Sequence, residues 1–282
     1  MNTADQSAGS REPWGWGKRL LVVLSLSIVA IYILATPAGL LDKADWVGYA
    51  VCHRIPSHSL SLHDRPLPLC ARCTGTYLGA MLAILFFLRT RPRSGSLPPL
   101  PVLLTLLGFS LVWALDGLNS YIDLSSEIVG MLRIRPVYPP QNWLRLLTGT
   151  LHGLMMASVI YPIAMGTFWR ASYLTPVLKD FSELGRLVAL ALAGVGLTLS
   201  GSPIILYPLA LVSSAGILAM LTLVNSVMLL VLIRRENTAE SWRDLAVPLL
   251  GGLALSLLLV GVIGIVRYAF TGTMTSLPGL PQ

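Results

Sequence analysis

"PIILYPLALVSSAGILAMLTLVNSVMLLVLI", Pro203–Ile233, contains no Asp, Glu, Lys or Arg in 31 residues. About 20 mostly apolar residues suffice to cross the hydrocarbon core of a bilayer as a helix. Six other runs meet that criterion: roughly Arg19–Leu40, Ala71–Leu88, Pro101–Leu118, Leu146–Trp169, Gly185–Ser200 and Leu245–Phe270. The run after Gly185 is short, and Gly201-Ser202-Pro203 breaks the chain tightly before the next, so these two form a hairpin. The expected fold class is all-α, a polytopic helical transmembrane bundle of about seven spans. The composition agrees. The chain is 54% hydrophobic and 12% charged, where a soluble domain carries about 25%, and its mean hydropathy is +0.72. The net charge of +7 points to anionic lipid and topology-setting loops. No nucleic-acid motif accompanies it, and no internal repeat is evident. The first run follows a basic N-terminus and ends in "LATPAGL", which also fits a cleaved signal peptide. Its length and the spans that follow favour a retained helix.

Lys and Arg set the orientation. With the N-terminus in the cytoplasm, the inner segments hold Arg11, Lys18 and Arg19; Arg89, Arg91 and Arg93; Arg170, Lys179 and Arg186; and Arg234, Arg235 and Arg243. The outer side keeps Lys43, Arg54, Arg65, Arg72, Arg133, Arg135, Arg145 and Arg267. The expected location is the plasma membrane. The expected organisation is a cytoplasmic tail (1–18), a core membrane domain (19–170), a cytoplasmic linker (171–184) and accessory C-terminal helices (185–282).

All three cysteines and three of the four histidines fall in "VCHRIPSHSLSLHDRPLPLCARCTG", Val51–Gly75, which this topology places outside. Cys70 and Cys73 form a C-x-x-C at the start of the second span. At i and i+3 both sulfurs share a face, and the helix N-terminus favours thiolates. Cys52 lies far enough upstream to fold back. His53, His58 or His63 would complete a four-ligand Cys₃His set of the kind that holds structural zinc. The metal candidates are thus Cys52, His53, Cys70 and Cys73, and the ion zinc or another transition metal. Cys52 and His53 are adjacent, so the histidine stays open. The same sulfurs support a second reading, an extracytoplasmic thiol–disulfide oxidoreductase in which Cys70–Cys73 cycles, Cys52 relays and a membrane quinone takes electrons. A third is one structural disulfide plus a buried thiol.

Other polar residues reach the same depth. The third span ends in "WALDGLNSYID" and the fourth begins "NWLRLLTGTLHG". Asp116 and Asn119 share a helical face, and Asn142, Arg145, Gly149, His152 and Gly153 follow near-helical spacing. Gly149 and Gly153 form a small-xxx-small pair for close helix approach. Intramembrane carboxylates are usually paired, and Arg145 is the expected partner of Asp116. Asp116, Arg145 and His152 are the catalytic candidates; Arg72, Asn119 and Asn142 complete a pocket for a polar or anionic, lipid-linked ligand. Asp116 also fits a purely structural bridge, and His152 a packing histidine. Asp123, Glu127, Arg133 and Arg135 fit an ordinary solvated loop. With polar residues gathered near one face, a transporter fits less well than a surface site, while a non-enzymatic assembly subunit stays open as a further alternative.

"CHRIPSHSL", "PLPLCARCTGTYLGA", "LDG" and "NWLRLLTGTLHG" together resemble a family of bacterial and archaeal membrane proteins catalogued as domain of unknown function 2085. The resemblance runs over roughly 46–165. It rests on Cys52 and His53, Pro56 and Ser59, the box Leu69–Gly75, Asp116 and Gly117, and Asn142, Arg145, Thr148 and Gly149. Arg54 and His58 stand where the family pattern has Gln and Arg, and about three spans extend beyond its compact core. The resemblance implies a shared polar site and supplies no activity.

Overall fold

Each run expected to cross a bilayer is helical in the computed structural model, which describes residues 15–62, 65–129 and 135–273. In chain order the helices are α1 (Trp16–Ala35), α2 (Leu40–Val51), α3 (Ala71–Thr90), α4 (Leu100–Val129), α5 (Asn142–Phe168), α6 (Phe181–Leu199), α7 (Pro203–Leu232) and α8 (Ala246–Thr271). All but α2 are long and apolar enough to span a membrane. Arg11, His63, Asp64 and Arg133, and the side chain of Glu127, lie outside the described residues.

Four boundaries differ from expectation by a turn or more, each for a local reason; one is α6, which begins at Phe181 because the Asp180 side chain caps it, accepting the Glu183 N–H. The first helix stops at Ala35, because Pro37 has no N–H to give and forces Thr36 into extended backbone (φ −97°, ψ 151°). Lys43 then caps its C-terminus, its Nζ donating to the carbonyl of Ile33 (2.8 Å) and to Thr36 Oγ1 (2.9 Å). Helix α4 continues three turns past Leu118 because Asn119, Ser120 and Ser125 are buried in it. Asp116 is therefore an interior residue of a long helix rather than a helix terminus. Helix α5 begins at Asn142, one turn before the apolar run.

Glycines set the centre of the bundle. A Cβ on Gly75 or Gly79 of α3 would collide with the carbonyls of Leu146 and Thr150, and one on Gly149 or Gly153 of α5 with those of Arg72 and Thr76. The two helices meet backbone to backbone along a reciprocal small-xxx-small seam, which buries little apolar area but gains close van der Waals contact. Helix α7 joins through Gly216, which faces the carbonyl of Tyr77, and α8 packs on α7 through Gly252. Toward the end away from the cysteines, Phe87, Leu154, Tyr161, Phe168, Leu178 and Leu187 fill the core.

Two small sheets close the ends. Strands β1 (Ser59–Leu62) and β2 (Arg65–Cys70) pair antiparallel before α3. At the opposite end, β3 (Ser94–Ser96) pairs parallel with β4 (Tyr173–Pro176). There Arg91 holds Glu183 with both terminal nitrogens (2.6 and 2.5 Å) and also donates to the carbonyl of Val177 (3.1 Å).

Candidate functional site

The cysteine segment is folded rather than loose. Helix α2 ends at Val51 and Cys52 caps it. Arg54, at φ 54°, turns the chain, a short 3₁₀ turn covers Pro56–His58, and the β1–β2 hairpin returns it. Ser59 pairs with Cys70, which is itself the N-cap of α3. The circuit is held from three sides. Helix α2 lies against β2 so closely that a Cβ on Gly48 would strike the carbonyl of Pro68. Asn142, at the start of α5, donates to the carbonyls of Ser57 (3.1 Å) and Ser59 (3.4 Å). Arg267 of α8 lies over the Tyr49 ring, 4.2 Å from its centroid, and donates to the carbonyls of Cys52 (2.5 Å) and His53 (3.3 Å).

The closure gathers the Sγ atoms of Cys52, Cys70 and Cys73 to within 4.8 Å of one another. All three are free thiols; Cys52 and Cys70 are buried and Cys73 half-buried. The Cys70 backbone N–H donates to Cys52 Sγ (3.3 Å). The thiols of Cys70 and Cys73 also donate to that sulfur, which holds the Cys52 thiol well below its ordinary range despite burial. As donor to Cys52 and itself buried, the Cys70 thiol is pushed up to about 12. Cys52 Sγ is thus the acceptor at the centre of the cluster.

No histidine belongs to this group among the described residues. His53 is turned aside: its Nδ1 accepts the Ile55 N–H (3.2 Å) and its ring meets His58 edge-on, with centroids 5.6 Å apart. His63 lies outside the described residues.

Beside the sulfurs is a second cluster, in which the expected ion pair is corrected. Asp116 is paired with Arg72, not Arg145: Arg72 Nη2 reaches Asp116 Oδ2 (2.5 Å) and Ser120 Oγ (2.9 Å). The cause is the α3–α5 seam. It sets the first turn of α3 against α5, which itself packs on α4, and from there the long side chain of Arg72 reaches across to Asp116. The Asp116 carboxylate, 2% exposed, also accepts from Tyr138 Oη (2.8 Å) and Thr148 Oγ1 (3.3 Å). Arg145 is 4% exposed and has neutral partners, Asn142 Oδ1 (2.8 Å) and Ser120 Oγ (3.4 Å); it forms no ion pair among the described residues. Among the described residues, Arg72 Nε is buried without an acceptor.

The remaining candidates divide. Asn119 takes both polar ends of its amide to backbone, donating to the Tyr138 carbonyl (2.9 Å) and accepting from the Val137 N–H (2.7 Å), and so presents Tyr138 to Asp116. His152 does not converge: it stacks on Trp113 (4.0 Å, 9°) and pairs with Ser110 (3.0 Å) as a packing histidine. Tyr138 and Ser120 escaped the sequence reading. The only sign of Tyr138 was a hydroxyl-bearing ring before Pro139-Pro140, and nothing marked Ser120 beyond its helical neighbours. An apolar cavity of about 440 Å³, lined by Val112, Leu115, Ile122 and Leu144, opens beside Asp116, Tyr138 and Thr148.

The family model described as "Predicted membrane protein (DUF2085)" matches residues 52–159, the segment whose motifs carried the resemblance. An uncharacterized protein of Methanothermobacter thermautotrophicus is 44% identical over 36 residues, 13% of this chain and 32% of that protein. The chain thus spans about a third of the length of the curated relative it matches. No solved structure matches it. The matched segment carries the three cysteines, Arg72, Asp116, Tyr138, Asn142 and Arg145, but not Arg267.

Proposed function

We propose that the protein is an integral membrane protein whose Cys52, Cys70 and Cys73 hold one soft transition-metal ion, zinc foremost, at the extracytoplasmic surface. One observation carries this: three free sulfurs, two of them buried and one half-buried, mutually within 4.8 Å. Zn–S bonds of about 2.3 Å in tetrahedral geometry require sulfurs about 3.8 Å apart, so the group needs little rearrangement to close on an ion. The Cys70 N–H on Cys52 Sγ supplies the outer-shell hydrogen bond such ligands normally have.

The neighbouring cluster supports an anionic ligand. A divalent ion on three thiolates carries one net negative charge. Arg72, Arg145 and Arg267 stand against this complex and Asp116, which leaves one positive charge to be met. Arg145, buried with neutral partners, is where an oxyanion would bind, as guanidinium pairs with carboxylate or phosphate in a fork. The apolar cavity beside Asp116 would suit the chain of a lipid-linked molecule.

The test is metal content with thiol titration on protein purified in mild detergent without chelator. The expected result is one ion per chain in the wild type and none in Cys70→Ser. Metal-free protein with two of its three cysteines oxidised would overturn the reading; a reversible disulfide would then indicate thiol exchange through Cys73, the least buried sulfur.

A further inference from the structure

The end of the bundle opposite the cysteines has a polar cavity of its own, independent of the metal reading. The segment before α8 is tied to the end of α5 by backbone: the Asn237 N–H donates to the Thr167 carbonyl (2.7 Å), the Ala239 N–H to Phe168 (3.0 Å) and the Arg170 N–H to Ala239 (3.0 Å). Beside these ties opens a cavity of about 470 Å³ lined by Arg93, Trp169, Arg170, Ala171, Ala239 and Glu240. Its floor is fixed. Trp169 is 2% exposed and wedged edge-on by Trp242 (4.9 Å, 80°), and its indole N–H is buried without an acceptor among the described residues.

Arg93 is the telling residue. Its guanidinium sits over the Trp169 ring, 4.0 Å from the centroid, and forms no side-chain hydrogen bond or ion pair among the described residues. Contact with an aromatic face holds the cation through the ring quadrupole and leaves its N–H donors unspent. The one carboxylate lining the cavity, Glu240, is taken by Arg170 (2.5 Å) in a pair largely open to solvent. The cavity therefore holds one unmatched, pre-positioned guanidinium. It lies at the end of the spans where Arg234, Arg235 and Arg243 also gather, at the depth where Trp rings sit beside lipid headgroups.

We propose that this cavity is a phosphate-binding site, with Arg93 as the fork that grips the oxyanion and Arg170 as the second cation. The phosphate is that of an anionic lipid headgroup or a free phosphate ion. The test uses the full-length protein in detergent, with unfolding midpoint and native mass spectrometry read against phosphatidylglycerol, phosphatidylcholine and inorganic phosphate in separate titrations. Phosphatidylglycerol should stabilise saturably and stay bound while phosphatidylcholine does not, and Arg93→Gln should weaken that binding about tenfold, the worth of one charge-assisted fork. Glu240→Gln, which frees Arg170, should tighten it, a gain that misfolding cannot mimic. Arg186→Gln, at the same end but outside the cavity, should leave it unchanged. Saturable protection by inorganic phosphate alone, lost in Arg93→Gln, assigns the site to the free ion. Equal responses to both lipids, or equal binding by wild type and Arg93→Gln without phosphate protection, would overturn the proposal.

Discussion

Arg72 lies between two cysteines in sequence, yet its energetic role is on another helix. It and Asp116 are 17% and 2% exposed, and removing one partner from such a pair strands a charge at about 3–5 kcal/mol. Asp116→Asn should therefore lower unfolding stability by about that amount, measured by denaturation in detergent. Arg72→Met combined with Asp116→Leu should recover much of it, and a double variant no better than the single would argue against the pair. His58 gives a pH prediction. Burial, followed by the charges of Arg145, His53 and Arg72 and against the pull of Cys52, lowers its pKa from 6.5 to about 4. Between those values the unfolded chain takes up a proton that the folded one refuses. Stability should fall as pH drops from 6.5 toward 4 and level off below, and His58→Asn should flatten that part of the curve; a ring titrating near 6.5 by NMR would refute it. At this scale the sequence shows which residues are polar at one depth: the cysteines, Asp116, Asn142 and Arg145 were all legible. It does not show which guanidinium reaches the carboxylate, because the α3–α5 crossing decides that. Tyr138 was illegible for the same reason, since its hydroxyl matters only after Asn119 has placed its backbone.

The elements explain why those contacts are possible. A spacing of four between Gly149 and Gly153 announced a close helix approach, while the partner, Gly75 and Gly79 of α3, could be named only from the fold. Gly149→Val must push Arg72 and the first turn of α3 away from α5. It should cost about 1–3 kcal/mol as overpacking and loosen the sulfur cluster with it, read as a lower metal-to-protein ratio. Gly185, with nothing within 4 Å of its Cβ position, is the control. Helix α2 and the β1–β2 hairpin were not legible. "LDKADWVGYAV" is too short to register as a span, and two prolines obscure "RPLPLC" as a strand; both hold because α8 and α7 pack against them. Arg267 is the specific tie. It lies outside the segment that the family model matches, yet it binds the carbonyls of the first cysteine and of His53. Arg267→Gln should reduce metal retention against a chelator at least tenfold, the loss of one charged hydrogen bond or more, with Arg267→Lys intermediate. Unchanged retention in Arg267→Gln would show that the hairpin alone sets Cys52.

Over the whole molecule, the two ends differ in how their charges are used. At the cysteine end, Lys43 caps α1, Arg54 and Arg65 pair with Asp45 and Asp42, Arg72 with Asp116, and Arg267 binds carbonyls. Those cations are committed within the fold. The opposite end carries Lys18, Arg19, Arg89, Arg93, Lys179 and Arg234 on or near short connections, where basic residues direct orientation. This asymmetry predicts the cysteine end outside. A cysteine introduced at Gly201, in the α6–α7 turn, should react with a membrane-impermeant maleimide in intact cells, and one introduced at Lys179 only after permeabilisation, with the parent chain as background. The reverse pattern would invert the protein. The outcome bears on the chemistry, since outside the cytoplasm three thiols in mutual reach are prone to oxidation. If Gly201 labels from outside, free sulfurs at Cys52, Cys70 and Cys73 need protection that burial of two of them only partly supplies, and a bound ion supplies it for all three. If Lys179 labels instead, the reducing compartment keeps the thiols free without help. Thiol exchange for an extracytoplasmic substrate is then excluded, and metal binding has to stand on ion content alone.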